Sequence, residues 1–202
     1  DAPVVSAIAD TSTSEDVPLS LVLSATDADG DAVTITASSD NDNIVAEVSG
    51  SLLTLNPGLD YNGSSTISVS ANDGTEDSDT LTFVLTVTAV NDAPVIVDIS
   101  DQTTEEDVSL DVTLSATDVD DDSLSFSAMS DNDNVVVSVV GDVLTLSPAE
   151  NYSGTAVITV TVTDDGDPVA SDSDSFVLTV TSTNDAPVVS AIADTSTSED
   201  VP

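Results

Sequence analysis

The sequence repeats itself over a distance that suits a single folded domain. The tetrapeptide DAPV begins at residues 1, 92 and 185, so successive copies lie 91 and then 93 residues apart. Residues 185–202 also reproduce residues 1–18 letter for letter. One β-sandwich domain takes about 100 residues, so this period predicts a tandem array of such domains. We expect two complete repeats, residues 1–91 and 92–184, followed by the first strand of a third repeat, residues 185–202.

Within each repeat, apolar residues alternate with polar ones, as they do in strands that bury one face. Residues 19–25 read LSLVLSA and residues 81–88 read LTFVLTVT, and the second repeat has matching segments. The segments are short, rich in β-branched residues and interrupted by Asp, Asn, Gly and Pro, which argues against helices. The strands predicted in the first repeat are residues 4–9, 19–25, 32–38, 44–49, 52–55, 65–71 and 81–88. About seven antiparallel strands per repeat predict an all-β fold of tandem Greek-key β-sandwiches.

The linkers between the repeats are short and contain proline. They read VNDAP at residues 90–94 and TNDAP at residues 183–187, without the Gly/Ser tracts of a flexible tether. We therefore expect the domains to lie end to end as a rod, each adding about 35–40 Å if its strands have about ten residues.

The charge of the chain requires neutralisation from outside. The sequence holds 39 Asp and Glu and no Lys, Arg or His. Self-repulsion of this size destabilises a compact state, and an oxygen-binding divalent cation such as calcium would relieve it. Acidity with few aromatic residues is also typical of disordered chains. The hydrophobic content of 39%, arranged with a period of two, argues against that alternative.

Composition excludes several classes of function. Nucleic acids and anionic membranes are not expected to bind directly, because both require Lys or Arg. No apolar run approaches the ~20 residues of a membrane-spanning helix. Catalysis is not expected either, since His, Cys, Lys and Arg are absent and aromatic residues make up only 2% of the chain. A carboxylate pair can hydrolyse glycosides, but it needs a cleft that binds sugar.

The acidic residues form clusters that recur at equivalent places in both repeats. Each SAT tripeptide is followed by alternating carboxylates, DADGD at residues 27–31 and DVDDD at residues 118–122. Residues i and i+2 of an extended segment point the same way, so both carboxylates can reach one calcium ion. A solvated loop without an ion remains the alternative. Three further pairs correspond between the repeats: Glu15 with Glu106, Asp60 with Asn151, and Asp73 with Asp164.

With these motifs the sequence resembles the cadherin-like tandem repeats of giant bacterial surface proteins and adhesins. SATDADGD is similar to the DxD segment of cadherins, DDGDP at residues 164–168 to their xDxGxP pattern, and Asn91-Asp92 to their linker. The resemblance implies calcium at each junction, where the glutamate and linker of one domain meet the DxD and xDxGxP loops of the next. The calcium ligands it implies are Glu15, Asp27, Asp29, Asp60, Asp73, Asn91, Asp92, Glu106, Asp118, Asp120, Asp164, Asn184 and Asp185.

The sequence also departs from the cadherin pattern. Ala89 and Ser182 replace the first Asp of the linker, and Asn151 and Ser153 stand where Asp and Glu are expected. We therefore expect fewer than the three calcium ions of a full cadherin junction.

Three functions are compatible with these observations. The first is a calcium-stiffened spacer, or filament unit, of a long protein on the outer surface of a prokaryotic cell, whose partners are adjacent repeats of the same polypeptide. The second is a calcium-dependent adhesion module that binds other copies of itself or glycans. The third is acidic mineral nucleation, which would require no fixed fold.

Overall fold

The computed structural model describes residues 1–196 and 199, and its ordered elements in that part of the chain are all β-strands. The chain divides into two compact units. The first comprises residues 1–93, 118–122 and 165–170, and the second comprises the remaining residues from 94 onward. No helix in the described ranges is long and apolar enough to cross a membrane.

The first unit is built from nine strands. They are β1 (Val4–Val5), β2 (Thr11–Ser14), β3 (Leu19–Val22), β4 (Ala25–Thr26), β5 (Thr34–Ser39), β6 (Ile44–Ser49), β7 (Leu52–Pro57), β8 (Gly63–Asn72) and β9 (Leu81–Thr88). A four-stranded sheet has the order β2-β9-β8-β5, a three-stranded sheet has the order β3-β7-β6, and β1 pairs with β4. All pairs are antiparallel except β2 with β9, which is parallel.

The alternating pattern of the sequence produces the core of the first unit. Leu53 and Leu55 of β7 are fully buried, as are Ile67 and Val69 of β8, and Leu85 of β9 lies in the same apolar cluster. The residues between them are polar or exposed, because successive side chains of a strand point to opposite faces. Both sheets therefore bury one face against a common core.

The second unit repeats this plan. Its strands are β10 (Val95–Ile96), β11 (Gln102–Glu105), β12 (Leu110–Thr113), β13 (Ala116–Thr117), β14 (Ser125–Ser130), β15 (Val135–Val140), β16 (Val143–Pro148), β17 (Gly154–Thr163) and β18 (Ser171–Thr181). The sheets have the orders β11-β18-β17-β14 and β12-β16-β15, and β10 pairs with β13. Leu144, Leu146, Ile158, Val160 and Leu178 are fully buried in its apolar cluster.

The all-β class and the tandem sandwiches are confirmed, and one strand in each unit was not predicted. The strand β2 reads TSTS and has no apolar alternation, so its hydrogen bonds to β9 leave no hydrophobic signal in the sequence. An aspartate just before this strand anchors it, because Asp10 Oδ1 accepts the Val84 amide at 2.8 Å. Asp101 and Val177 repeat this contact at 2.8 Å in the second unit.

Five of the seven predicted segments have different bounds in the structure. Three of them shift by only a few residues, since segments 32–38, 52–55 and 65–71 are observed as Thr34–Ser39, Leu52–Pro57 and Gly63–Asn72, and the other two differ more. Residues 19–25 form two strands, since β3 pairs with β7 whereas β4 pairs with β1. The segment predicted at 4–9 is ordered as a strand only at Val4–Val5. Residues 185–196 form no strand, and residues 197, 198 and 200–202 of the expected third repeat lie outside the described residues. The repeat boundaries and the rod arrangement stay predictions.

Candidate metal centre

Seven carboxylates of the first unit form three overlapping groups. Within each group, one oxygen from each residue lies within 4.8 Å of the others. The groups are Glu15 with Asp92 and Asp120, Asp16 with Asp60 and Asp92, and Asp118 with Asp120 and Asp122. Asp92 and Asp120 each belong to two groups, so the three groups form one continuous cluster of oxygen ligands.

Glu15 is the most deeply buried of these carboxylates, with 3% of its surface exposed. It follows β2 directly, and its backbone N–H continues the ladder by donating to Thr88 O at 3.0 Å. Its side-chain Oε1 accepts the amide of Val90. The other oxygen, Oε2, is buried and has no hydrogen-bond partner. An ionised oxygen buried without a partner is strongly unfavourable, so this atom is suited to bind a cation.

Asp16 and Asp60 adopt backbone conformations that few residues tolerate. Their φ angles are 58° and 54°, in the left-handed region that Asp and Asn enter more readily than most other side chains. The two residues are joined, since Asp16 Oδ1 accepts the Asp60 amide at 3.1 Å. Asp107 and Asn151 of the second repeat reproduce both the angles, 65° and 55°, and the hydrogen bond, at 2.9 Å. The recurrence shows that the turn geometry itself is encoded in each repeat.

The loop at residues 118–122 is held by hydrogen bonds between its own carboxylates and nearby amides. Asp120 donates its N–H to Asp118 Oδ1 at 2.9 Å, and Asp120 Oδ2 accepts the Asp92 amide at 2.8 Å. Asp118 Oδ2 is buried without a partner, as Glu15 Oε2 is. The cluster thus contains two orphaned anionic oxygens.

Burial and repulsion between like charges act together on Asp92. Burial is the larger cause, followed by the carboxylates of Asp60, Asp120, Glu15 and Asp16, and together they raise the pKa of Asp92 above its usual value. The sequence contains no basic side chain that could offset this repulsion. A counter-charge for this group therefore cannot come from a side chain of the protein.

A second loop, residues 165–170, completes the surroundings of the cluster. Asn91 Nδ2 donates to Pro168 O at 3.0 Å. An open cavity of about 360 Å³ lies beside it, lined by Asn62, Ala89, Asn91, Asp120, Asp122, Gly166 and Asp167. A Cβ atom at Gly166 would overlap the Asn91 side chain and lie 2.5 Å from Asp122 Oδ2. Glycine is required there by space, so that the loop can approach the acidic cluster.

The structure brings five of the expected ligands together, namely Glu15, Asp60, Asp92, Asp118 and Asp120. Asn91 lines the adjoining cavity. Asp164 is buried and belongs to the second unit.

The expected ligands in the DxD loop of the first repeat lie in none of the three groups. Asp27 Oδ1 accepts the amides of Asp29 and Asp31 at 2.8 and 3.1 Å, and its Oδ2 is buried without a partner. Asp29 forms an ion pair with the amino group of Asp1 at 2.6 Å.

Asp73 also lies outside the groups. Its Oδ1 accepts the amides of Thr75 and Glu76, both at 2.7 Å. These backbone N–H groups, that of Glu76 first, hold the pKa of Asp73 below its usual value.

The expected ligands at the end of the second repeat are likewise separate from the groups. Glu106 is 5% exposed and accepts the Thr183 amide through Oε1 at 2.6 Å, as Glu15 accepts Val90. Asn184 and Asp185 are exposed.

Sequence reasoning missed two members of the cluster, Asp16 and Asp122. Both carry a signal, because Asp16 recurs as Asp107 and Asp122 recurs as Asp31 at the equivalent position of the other repeat. The contact between Asp16 and Asp60, which lie 44 residues apart, is the part that the local residue pattern does not predict.

Comparisons with known proteins agree with this architecture. A family described as bacterial Ig domain matches residues 1–86 and again residues 91–181. No curated protein sequence matches the chain.

Several cadherin structures are similar in fold. The first two domains of human protocadherin-24 align over 90% of this chain and 99% of their own length, with a TM-score of 0.60 and 17% identity. Human mucin-like protocadherin EC1-2 aligns over 89% and 99%, with a TM-score of 0.52 and 22% identity. Protocadherin gamma B2 domains 1–5 align over 91% of this chain and 41% of that one, with a TM-score of 0.58 and 25% identity.

Proposed function

The chain belongs to the bacterial Ig domain family, and from this premise we propose that it is a calcium-stiffened structural repeat of a long extracellular surface protein of a prokaryote. Ig-like and cadherin-like domains are structural modules rather than enzymes. The observation that carries the proposal is the cluster of seven carboxylates in the first unit, with two buried and unpartnered oxygens, in a chain that has no basic side chain.

Electrostatics supports a bound cation. Two carboxylate charges at 4.8 Å repel each other by on the order of 3 kcal/mol at an effective dielectric constant of about 20. Each group of three contains several such pairs, and Asp92 and Asp120 take part in two groups. A divalent cation between the carboxylates adds attractions that outweigh these repulsions, so the native state gains stability by mass action when the ion binds.

The donor set favours calcium among the common cations. Every candidate ligand offers oxygen, which excludes the nitrogen and sulfur sites preferred by zinc or copper. Calcium accepts about 6–8 oxygen ligands in irregular geometry, whereas magnesium demands a small octahedral shell and retains its water. Residues of the cluster that fit calcium are Glu15, Asp16, Asp60, Asp92, Asp118, Asp120 and Asp122.

The origin of these residues in the sequence supports a stiffening role. Glu15, Asp16 and Asp60 belong to the first sequence repeat, Asp92 opens the second, and residues 118–122 belong to the second as well. A calcium ion held by the group of Glu15, Asp92 and Asp120 would bind segments of both repeats. Such an ion would restrict the motion of one repeat against the next, as a spacer requires.

The proposal is tested by calcium binding and by substitution of the shared ligand. We expect titration calorimetry to give saturable calcium binding, and scattering to give a narrower range of shapes with calcium than with chelator. Asp120→Asn should weaken the strongest site by about tenfold or more, because Asp120 serves two groups.

Asp29→Asn is the matched control, since Asp29 occupies the equivalent position of the first repeat and lies in none of the three groups. Its calcium affinity at the strongest site should equal that of the wild type. Equal rescue of chelated protein by magnesium and calcium, or equal effects of the two substitutions, would contradict the proposal.

A further inference from the structure

One strand of the second unit has an unprotected edge. Among the described strands, β15 lies at the end of the three-stranded sheet and pairs only with β16. It reads VVVSVV and has no charged residue. Its outward side chains include Val136, 63% exposed, and Val140, 79% exposed. An edge strand of this kind offers unpaired backbone N–H and C=O groups beside apolar side chains.

The first unit provides an internal comparison, because β6 occupies the same edge position there. It reads IVAEVS, and Glu47 at its centre is exposed. Charged residues on edge strands prevent edge-to-edge pairing with other chains. Glu47 lies beside Thr54 in the first unit, and Ser138 lies beside Thr145 at the corresponding place in the second. The second unit therefore lacks the protective charge that this edge carries in the first unit.

We propose that β15 is a self-association edge, at which two copies of this chain pair antiparallel about a two-fold axis through Ser138. The sequence of the strand is self-complementary in this register. Val136 of each copy would lie opposite Val140 of the other, and Val137 opposite Val139, so the exposed valines cover one another. Both copies would also satisfy their outward backbone groups, as an isologous interface requires.

The local absence of charge makes a second copy of this chain a suitable occupant of this edge. The strand is a six-residue segment without carboxylates in a chain that carries 39 of them. Asp133 and Asp142 flank it and would approach the other copy, so repulsion opposes pairing at low ionic strength. The association should therefore strengthen as salt or a divalent cation is added. Self-association at β15 is independent of whether the carboxylate cluster of the first unit binds calcium.

The tail of the chain is a less suitable occupant of this edge. Residues 185–196 are exposed and form no strand, and their sequence repeats that of residues 1–12. In the first unit, that sequence pairs with β4 and β9 rather than with the strand equivalent to β15. The segment is thus suited to a different position in the sandwich.

Sedimentation velocity of the 202-residue chain over a range of concentrations, at moderate salt, tests the inference. We expect a monomer–dimer equilibrium that shifts toward dimer as salt rises. Ser138→Glu restores the charge that Glu47 supplies to the first unit, and should raise the dissociation constant by about tenfold or more. Ser127→Glu adds the same charge to an exposed position of β14, at the edge of the other sheet, and should leave the constant within about twofold of the wild type.

Hydrogen exchange distinguishes this edge from other contacts. Amides of β15 should exchange more slowly at dimer-forming concentrations than in dilute solution, and those of β6 should not change. A chain that remains monomeric at all concentrations and salts would overturn the inference. So would a dimer that Ser138→Glu leaves intact, or one that both substitutions weaken equally.

Discussion

Replacing Glu15 with glutamine is the most direct test of the acidic cluster. The change keeps an oxygen that can accept the Val90 amide, but it removes the charge of the buried side chain. The wild-type Oε2 has no hydrogen-bond partner, whereas the new amide nitrogen could donate to the carboxylate of Asp92 or Asp120. The substitution should therefore act in opposite directions with and without calcium.

With calcium, the variant should lose stability. Extracellular modules bind calcium with dissociation constants of about 0.1–1 mM. At a free concentration one hundred times that constant, the ion stabilises the native state by about 2.7 kcal/mol. If one lost ligand weakens binding about tenfold, about 1.3 kcal/mol of this disappears. For a domain of this size, that loss lowers the melting temperature by about 5–10 °C.

In chelator, the sign should reverse. The wild-type native state then retains the repulsion among Glu15, Asp92 and Asp120, whose oxygens lie within 4.8 Å of one another. Glutamine removes one charge from this group, so the variant should unfold at the same temperature as the wild type or at a higher one. Differential scanning calorimetry in chelator and in saturating calcium measures both effects.

Glu106→Gln is the control for this experiment. Glu106 is equally buried and accepts the Thr183 amide in the same way, but it belongs to none of the three carboxylate groups among the described residues. Its calcium response should match that of the wild type. Equal calcium-induced rises in the melting temperatures of the wild type and Glu15→Gln would refute a ligand role for Glu15. So would an equal loss of the calcium response in Glu106→Gln.

Two further predictions concern the loops. Gly166→Ala should weaken calcium binding by about tenfold or more, because its methyl group would displace the Asn91 side chain. Gly58→Ala is the control, since a Cβ atom there has ordinary contacts, and titration calorimetry should show unchanged binding. Asp40 accepts the Thr66 amide at 2.8 Å, and this bond holds the pKa of Asp40 below its usual value. A lowered folded-state pKa stabilises the protein above the unfolded pKa of about 3.9, and this contribution is lost as the pH falls through the folded value. Asp40→Asn should thus be less stable than the wild type near neutral pH, with a deficit that vanishes in acid; a deficit independent of pH in denaturant unfolding would contradict this.

Repetition and alternation were enough to predict two tandem β-sandwiches. Which face of a strand is buried follows from side-chain alternation, and the pattern at residues 81–88 predicted the buried face that Phe83, Leu85 and Val87 form. Repetition then extended the prediction to the second unit. The confirmed bounds of β6 at Ile44–Ser49 show how well a short alternating segment can be located between two turns.

Which carboxylates meet depends on the tertiary structure. Asp16 and Asp60 are 44 residues apart, and the hydrogen bond between them forms only when the path of the folded chain brings the two turns together. The path of the chain places Asp92 in two groups at once, and the lack of space beside Asn91 explains Gly166.

The same limit applies to strands. The polar strand β2 lacks alternation, and the edge position of β15 depends on the order of strands in a sheet. Alternation is a local property that a sequence displays directly, whereas proximity between distant residues arises only when the whole chain has folded.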